Sequence, residues 1–322
     1  NGRNCKGLIT VESGTVTGDI ADIVSVYTAA DTAITGLGNE TVTVADSMSV
    51  AQANALTGTY TTGFVKGSLA DSTKAELDAL VTSANEYSVK LKTDTAYVAS
   101  ELKAIDAKTT GTVDASVVTN ISGSLTDVKA IYQSNADPNG GISGLGNEAV
   151  VISDEGSIKA IDLNYINSNT SGALSVSKVT SITGTVEEIK KAYKAYDDGT
   201  LTGLGNEAIT ISDIAPSSAD VALIKGYTTG VVTVSISSTS VTASALKTLD
   251  GDSAETVNAS GITSISGSAS DIKTVLTSDG ISGLGDEAVT LSDTSISATL
   301  LKEVDTETTG SVNAGTVTTI TG

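Results

Sequence analysis

The chain has 322 residues, a formal net charge of −20, nine Tyr, one Phe, no Trp and no His. Such acidity excludes a nucleic-acid surface, which needs clustered Lys and Arg, and the missing His excludes Ser-His-Asp and Cys-His catalysis and His-based metal sites. So few aromatic side chains exclude a thick globular core and favour thin layers, each filled by a few aliphatic residues.

Residues 1–13, opening NGRNCKG, read as an N-terminal leader or cap, with Cys5, the only cysteine, as a possible intermolecular thiol. The chain begins with Asn and shows no signal peptide, which reads as a processed or excised form. No apolar run approaches the 18 residues of a membrane span.

From residue 14 onwards the text repeats. TVTGDIADIVSVY (15–27) is a short β-branched strand, a glycine and a helix, followed by GLGNE at Gly36 and a second alternating strand near Val42. Residues 51–100 are the least regular; TTG falls at 61–63, and TKAELDALVTSANEY (73–87) predicts a longer helix. Next come LKAID at Leu102, TTG at 109–111, VTNISGSLTDVKAIY from Val118, an insertion Asp137-Pro138-Asn139-Gly140-Gly141, and GLGNE at Gly144. IKAID at Ile158 is followed by VTSITGTVEEIKKAY from Val179, GLGNE at Gly203 and TTG at 228–230. LKTLD at Leu246, ITSISGSASDIKTVL from Ile262, GLGDE at Gly283, LKEVD at Leu301 and TTG at 308–310 lead to VTTITG at 317–322. The recurrence predicts an α/β repeat solenoid, β-solenoid-like coils of about 27 residues in a single elongated domain over 14–322, with about eleven coils and an incomplete one at 317–322.

Local chemistry supports each part. Strands such as VTSIT alternate β-branched residues with Ser and Thr, the pattern of a strand with one buried face. Ser124 with Asp127, Thr185 with Glu188 and Ser268 with Asp271 have the spacing of a capping box. The apolar positions that follow, for example Ile272, Val275 and Leu276, share one face of a helix about two turns long. In the alternate units the helix reads LKAID, IKAID, LKTLD and LKEVD, at Leu102, Ile158, Leu246 and Leu301, where the aliphatic residue faces inward, Lys points to solvent, and Asp starts a turn. Parallel strands about 4.8 Å apart then make a rod on the order of 50 Å, apolar inside and covered by Thr, Ser, Lys and Asp.

Three chemistries compete for the conserved-looking phrases. GLGNEA has the G-x-G-x-x-A spacing of a dinucleotide fingerprint, but it follows a helix and opens a strand, the reverse of a phosphate cradle. Recurring acids make Glu148, Asp154, Glu207, Asp213, Glu287 and Asp293 calcium candidates, with Glu40 and Asp46 in the same phrases; calcium needs six to eight converging oxygens, and a role as turn formers or caps is the alternative. No pair of carboxylates stands out from its copies as a catalytic pair, so no catalytic residue and no cofactor is assigned.

The phrase ITGTVEEIKKAY, the GLGNE phrases ending in Ser-Asp, and SATLLKEVDTETTGSVNAGTVTTITG resemble repeats of very large cyanobacterial cell-surface or secreted proteins, described as haemolysin-like or calcium-binding. The resemblance covers 93–322 well and 14–92 loosely. It implies an extracellular or cell-surface role in adhesion, surface layers or filaments; the calcium label belongs to nonapeptide repeats that this chain lacks.

The functional expectation is a structural repeat protein, not an enzyme: a filament subunit or adhesin stalk that assembles with itself. VTTITG is the opening of a unit whose intact version stands at 15–27, so Val16 at one end and Val317, Ile320 and Gly322 at the other are the expected head-to-tail assembly residues. The alternatives are a fibre that binds a receptor or glycan through its irregular coils and, third, a polysaccharide-acting β-helix enzyme.

Overall fold

The structure, a computed structural model, describes residues 9–10, 14–29, 34–70, 72–81, 84–92, 95–137, 140–213, 216–252 and 256–322. Cys5, Pro138 and Asn139 lie outside the described residues. The chain divides into two compact units, one of residues 1–153 and 168–174, the other of residues 154–167 and 175–322. No helix among the described residues is long and apolar enough to cross a membrane.

Both units are built from strand-helix-strand repeats of roughly 25–30 residues whose strands pair in parallel. In the first unit, Thr15–Gly18, Thr41–Met48, Val65–Leu69, Glu86–Lys90, Thr112–Asp114 and Gly141–Ser143 form one sheet in that spatial order, and Ala96–Val98, Asn120–Gly123 and Ala149–Ile152 line up in another. Within the segment 1–13, read as a leader or cap, Ile9–Thr10 pairs in parallel with Ile34–Thr35. In the second unit, a six-stranded sheet runs from Ser157–Lys159 through Ser181–Gly184, Ala208–Ile211, Val232–Ser235 and Val257–Asn258 to Ile281–Ser282. Beside it are a four-stranded sheet, Ser240–Thr242, Ser264–Gly267, Ala288–Leu291 and Val312–Asn313, and the pair Ser295–Ser297 with Thr319–Thr321.

Register explains the period-2 pattern. Ile158 lies beside Ile182, Ile182 beside Ile209, and Ile209 beside Val232; Val241, Ile265, Val289 and Val312 form a second row. One repeat along the chain is one rung across the sheet, so each unit buries an aliphatic ladder. Ile182, Val232 and Val289 are almost fully buried, and each such side chain stabilises the stack by roughly 1.5–3 kcal/mol.

The helices start where the spacing predicts. Ser124, Thr185 and Ser268 are the N-caps of Leu125–Asn135, Val186–Asp197 and Ala269–Leu276, and each side chain accepts from the backbone N–H of the acid three residues on. Ser217 does the same for Ser218–Lys225, a cap the sequence reading missed. Such caps contribute about 1 kcal/mol each. Two of these helices, of 11 and 12 residues, exceed the two turns expected; in the longer one, buried Ala192, Tyr193 and Ala195 continue the packed face.

Two expectations are corrected. IKAID at Ile158 is not a helix start: Ser157–Lys159 is a strand, with Ile158 packed in the ladder, and the helix Ala160–Asn169 buries Leu163 instead. TKAELDALVTSANEY is not one long helix, since its helix is only Lys74–Asp78 and Tyr87 lies in the strand Glu86–Lys90. Past the helix stands the β-branched Val81, which loses rotamer freedom in a helix. The Lys of the LKxxD phrases is exposed, as expected, and at two copies its ammonium also meets an acid on the next helix. Lys103 pairs with Asp127 at 3.0 Å and Lys247 with Asp271 at 2.6 Å, and Lys190 pairs with Asp220 in the same way. In each case a Lys at the fifth position of one helix meets the acid at the third position of the next, a ladder of exposed pairs that sets register more than stability.

Candidate functional site: the buried glutamate turns

Glu40, Glu148, Glu207 and Glu287 are the most deeply buried carboxylates among the described residues, all at most 2 % exposed. The GLGNE phrase builds a socket around each. Gly144 and Gly146 adopt φ of 83° and 143°, values that a side chain resists. The resulting turn aims the Gly146 N–H at the Glu148 carboxylate, 2.7 Å away. Gly38, Gly205 and Gly285 donate to Glu40, Glu207 and Glu287 at 2.9, 2.8 and 2.8 Å.

A tyrosine from the preceding helix completes two of the sockets. The Tyr27 hydroxyl donates to Glu40 and the Tyr132 hydroxyl to Glu148, both at 2.8 Å. At the third copy, Tyr193 stands where Tyr132 does, stacked on Tyr227 with ring centroids 4.7 Å apart, but its hydroxyl and the Glu207 Oε1 are both buried without a hydrogen-bond partner. At the fourth, the tyrosine position is Leu276, and Glu287 Oε1 likewise has no partner.

TTG is the other half of the same device. The first Thr of the phrase donates its hydroxyl to the Glu backbone carbonyl: Thr61 to Glu40 at 3.2 Å, Thr228 to Glu207 at 2.7 Å and Thr308 to Glu287 at 2.8 Å, and Thr170 of the variant phrase Thr170-Ser171-Gly172 to Glu148 at 2.7 Å. Each of these hydroxyls also accepts from the glycine two residues on. That glycine lies against the Glu carbonyl so closely that a Cβ on Gly172 would stand 2.1 Å from Glu148 O. The copy at Thr109–Gly111 lies against Tyr87, which occupies the Glu position in the irregular stretch. A side chain of that kind gave the sequence reading no signal.

The electrostatics follow from the donors. Burial pushes the Glu40 carboxyl upward, but the N–H groups of Gly38, Glu40 and Asn39 and the Tyr27 hydroxyl outweigh it and hold the group below the usual carboxylate range. Burial first, and then the bond to Glu40, push Tyr27 up to about 12; Tyr132 rises further for the same two reasons, with Glu148 as its partner. A tyrosine raised above its ordinary value of 10.0 contributes stability that is complete below about pH 10 and lost as the pH rises through the folded value. Ultraviolet titration of the phenolates will therefore show Tyr27 and Tyr132 ionising above the ordinary tyrosine value. Tyr27→Phe and Tyr132→Phe will each remove one such high-pH ionisation; a high-pH titration unchanged in both variants would refute the assignment.

The aspartates after the strands also have structural employment. Asp46 accepts from the N–H of Ile20 at 2.7 Å, Asp213 from Val186 at 2.6 Å and Asp293 from Ala269 at 2.7 Å. Each therefore caps the first residue of a helix one repeat back, complementing the N-cap hydroxyl. Asp154 is engaged as well. Among the described residues no three potential ligands gather as a metal site would require. The Asp of the LKxxD phrases starts a turn at Asp106, whose carbonyl accepts from the Thr109 N–H at 3.3 Å while its carboxylate accepts from Ser134 at 2.8 Å; Asp250, inside the helix Ala243–Asp252, accepts from Ser278 at 2.6 Å.

The irregular stretch holds a π-helical turn, Leu56–Tyr60, and a groove of about 350 Å³ lined by Thr57, Thr61, Thr62, Phe64 and Asn85. Its polar groups are engaged in the fold: Thr61 and Thr62 donate to Glu40 O and Gly38 O, and Asn85 accepts from the Val65 N–H. Comparison with family models, characterised proteins and solved structures finds no match. The recurring chemistry of this chain is thus an internal clasp between repeats.

The assembly residues have a distinct environment. Val16 is half-buried in Thr15–Gly18, the outermost strand of its sheet. Val317 is half-buried, Gly322 is exposed, and Ile320 is 60 % exposed where its counterparts Ile121, Ile182 and Ile265 are buried. Around Ile320 a groove of about 450 Å³ is lined by Ala298, Leu301, Lys302, Asp305, Val312 and Ala314.

Proposed function

We propose that the protein is an extracellular structural repeat protein, a solenoid whose coils stack on one another within the chain and end to end between copies, as in a filament subunit or surface stalk. The observation that supports this reading is the stacking inside the chain: Val241, Ile265, Val289 and Val312 lie side by side on successive parallel strands, one repeat to a rung, so that repeats bury their apolar face against one another.

Charge supports the same pairing. Lys302 stands at the fifth position of Ala298–Glu307, where Lys103, Lys190 and Lys247 each find an acid on the next helix, and it has no such partner among the described residues. Asp22 stands at the third position of Ile20–Thr28, the acid's place, and is also unpaired among them. The resemblance to large cell-surface and secreted repeat proteins, and the acidic, hydroxyl-rich exterior, support an extracellular setting.

Electron microscopy of the purified, reduced protein tests the reading. Fibres with an axial repeat near one chain length are expected, and their loss in Ile320→Asp; dispersed single particles at all concentrations would sink it.

A further inference from the structure

We propose that the groove beside Phe64 binds a neutral sugar, with the aromatic ring against the apolar face of a pyranose and threonine hydroxyls against its O–H groups. The site is independent of the end-to-end reading above.

Position in the repeat singles out the ring. After each TTG, and after the variant Thr170-Ser171-Gly172, one outward residue precedes the strand: Phe64, Thr112, Ala173, Val231 and Ser311, all exposed. Four of these positions share one backbone role, since the Phe64, Ala173, Val231 and Ser311 carbonyls accept from the N–H groups of Val42, Val150, Ile209 and Val289 at 2.8, 2.9, 2.8 and 2.8 Å. The fold asks nothing of the side chain there, and alanine or serine suffices elsewhere. Phe64 puts the one Phe of the chain at this place, 40 % exposed. A single exposed apolar residue is ordinary in itself, but this one walls a recess.

The recess has a local cause. By the rule of the other copies the Val65 N–H would meet the Ala84 carbonyl, yet it donates to the Asn85 Oδ1 at 2.7 Å. The neighbouring chain thus joins the sheet one residue late, and a groove of about 350 Å³ opens with Phe64 and Ala84 in its lining. The helix Val50–Ala55 runs into the π-helical turn Leu56–Tyr60, which contributes Thr57 to the same lining. Such turns are uncommon and recur at functional sites, and this one falls where the repeat is least regular.

The lining selects the ligand. No described residue that lines the groove is charged, so a phosphate, a carboxylate or an ammonium group would lose water there without compensation. The hydroxyl protons are committed within the fold: Thr57 donates to the Ala53 carbonyl at 3.2 Å and Thr62 to the Gly38 carbonyl at 3.0 Å. Their oxygens keep lone pairs, so the groove accepts hydrogen bonds from a ligand rich in O–H donors. An aromatic face beside such acceptors matches the C–H face and hydroxyl rim of a sugar ring. An apolar side chain from a protein partner would cover Phe64 but leave the acceptors dry and unpaired. The volume lies at the low end for small-molecule sites, which suits a single sugar unit of a surface glycan.

Saturation-transfer NMR on the full chain tests the site with the methyl glycosides of glucose, mannose and galactose, and with glucuronate as the charged counterpart. Irradiation of the protein is expected to saturate the ring C–H protons of at least one neutral glycoside and not those of glucuronate. Phe64→Ala will weaken that binding by about tenfold or more, and the chain will still fold, because Ala173 holds the same position in another repeat. Val231→Ala, the same change at an exposed copy outside the groove's lining, will leave binding at the wild-type level. Absence of transfer to every neutral glycoside, equal transfer in Phe64→Ala, or glucuronate bound as tightly as the neutral sugars overturns the proposal.

Discussion

Gly172→Ala will destabilise the first unit by more than about 3 kcal/mol, at the severe end of single substitutions. Backbone strain is not the cause, since Gly172 is not among the residues with positive φ. Its Cβ would meet Glu148 O at 2.1 Å and Glu148 C at 2.3 Å, which are backbone atoms fixed by the sheet on one side and the Thr170 hydroxyl on the other. Neither swings away as a flexible side chain would. Gly156→Ala is the control: a Cβ there meets nothing within 4 Å, and the change will fall within about 0.5 kcal/mol of wild type in chemical denaturation. Equal effects of the two substitutions would disprove the close approach.

Glu148→Ala will have an effect of similar size, about 3–5 kcal/mol. It strands the Tyr132 hydroxyl and the Gly146 N–H in a dry site, at a cost of roughly 1–3 kcal/mol for each unsatisfied group, and leaves the volume of the side chain empty. Glu287→Ala removes a carboxylate that holds the Gly285 N–H but no tyrosine, and one of its oxygens has no partner to lose. It will therefore cost less, by about the worth of one buried hydroxyl. Denaturant titration of both variants checks the order, and Glu287→Ala as damaging as Glu148→Ala would contradict the role given to Tyr132.

These two positions also mark how much of the molecule is legible in its sequence. Ser124 and Asp127, or Thr185 and Glu188, are three residues apart, and their capping bonds are decided by that distance alone. The strand ladders are legible for the same reason, since alternation is local. What holds Glu148 is not local: Tyr132 lies 16 residues before it and Thr170 lies 22 after it. Recurrence announced that the glutamate matters, and acidic recurrence suggested calcium; only the fold reveals that the Gly146 N–H and the Tyr132 phenol occupy its oxygens.

The misread helices have a related cause. SIKAID and ALKTLD carry similar letters, yet Ser157–Lys159 is drawn into a sheet by Ser181–Thr183, while Leu246 lies within the helix Ala243–Asp252. Tertiary pairing decides between them, and an apolar run of that length reads either way. Tyr87 illustrates the opposite failure. A turn whose glutamate has been replaced keeps its TTG partner, so the repeat persists through residues 51–100 under unfamiliar wording.

The account stands on the claim that coils recognise coils, between copies as well as within one. Sedimentation velocity of the reduced protein across a wide concentration range, beside Ile320→Asp, tests it most directly. The wild type is expected to sediment as species that grow with concentration, and Ile320→Asp as a folded monomer throughout; a wild type that never leaves the monomer, or an Ile320→Asp that associates as well as it does, would contradict the claim.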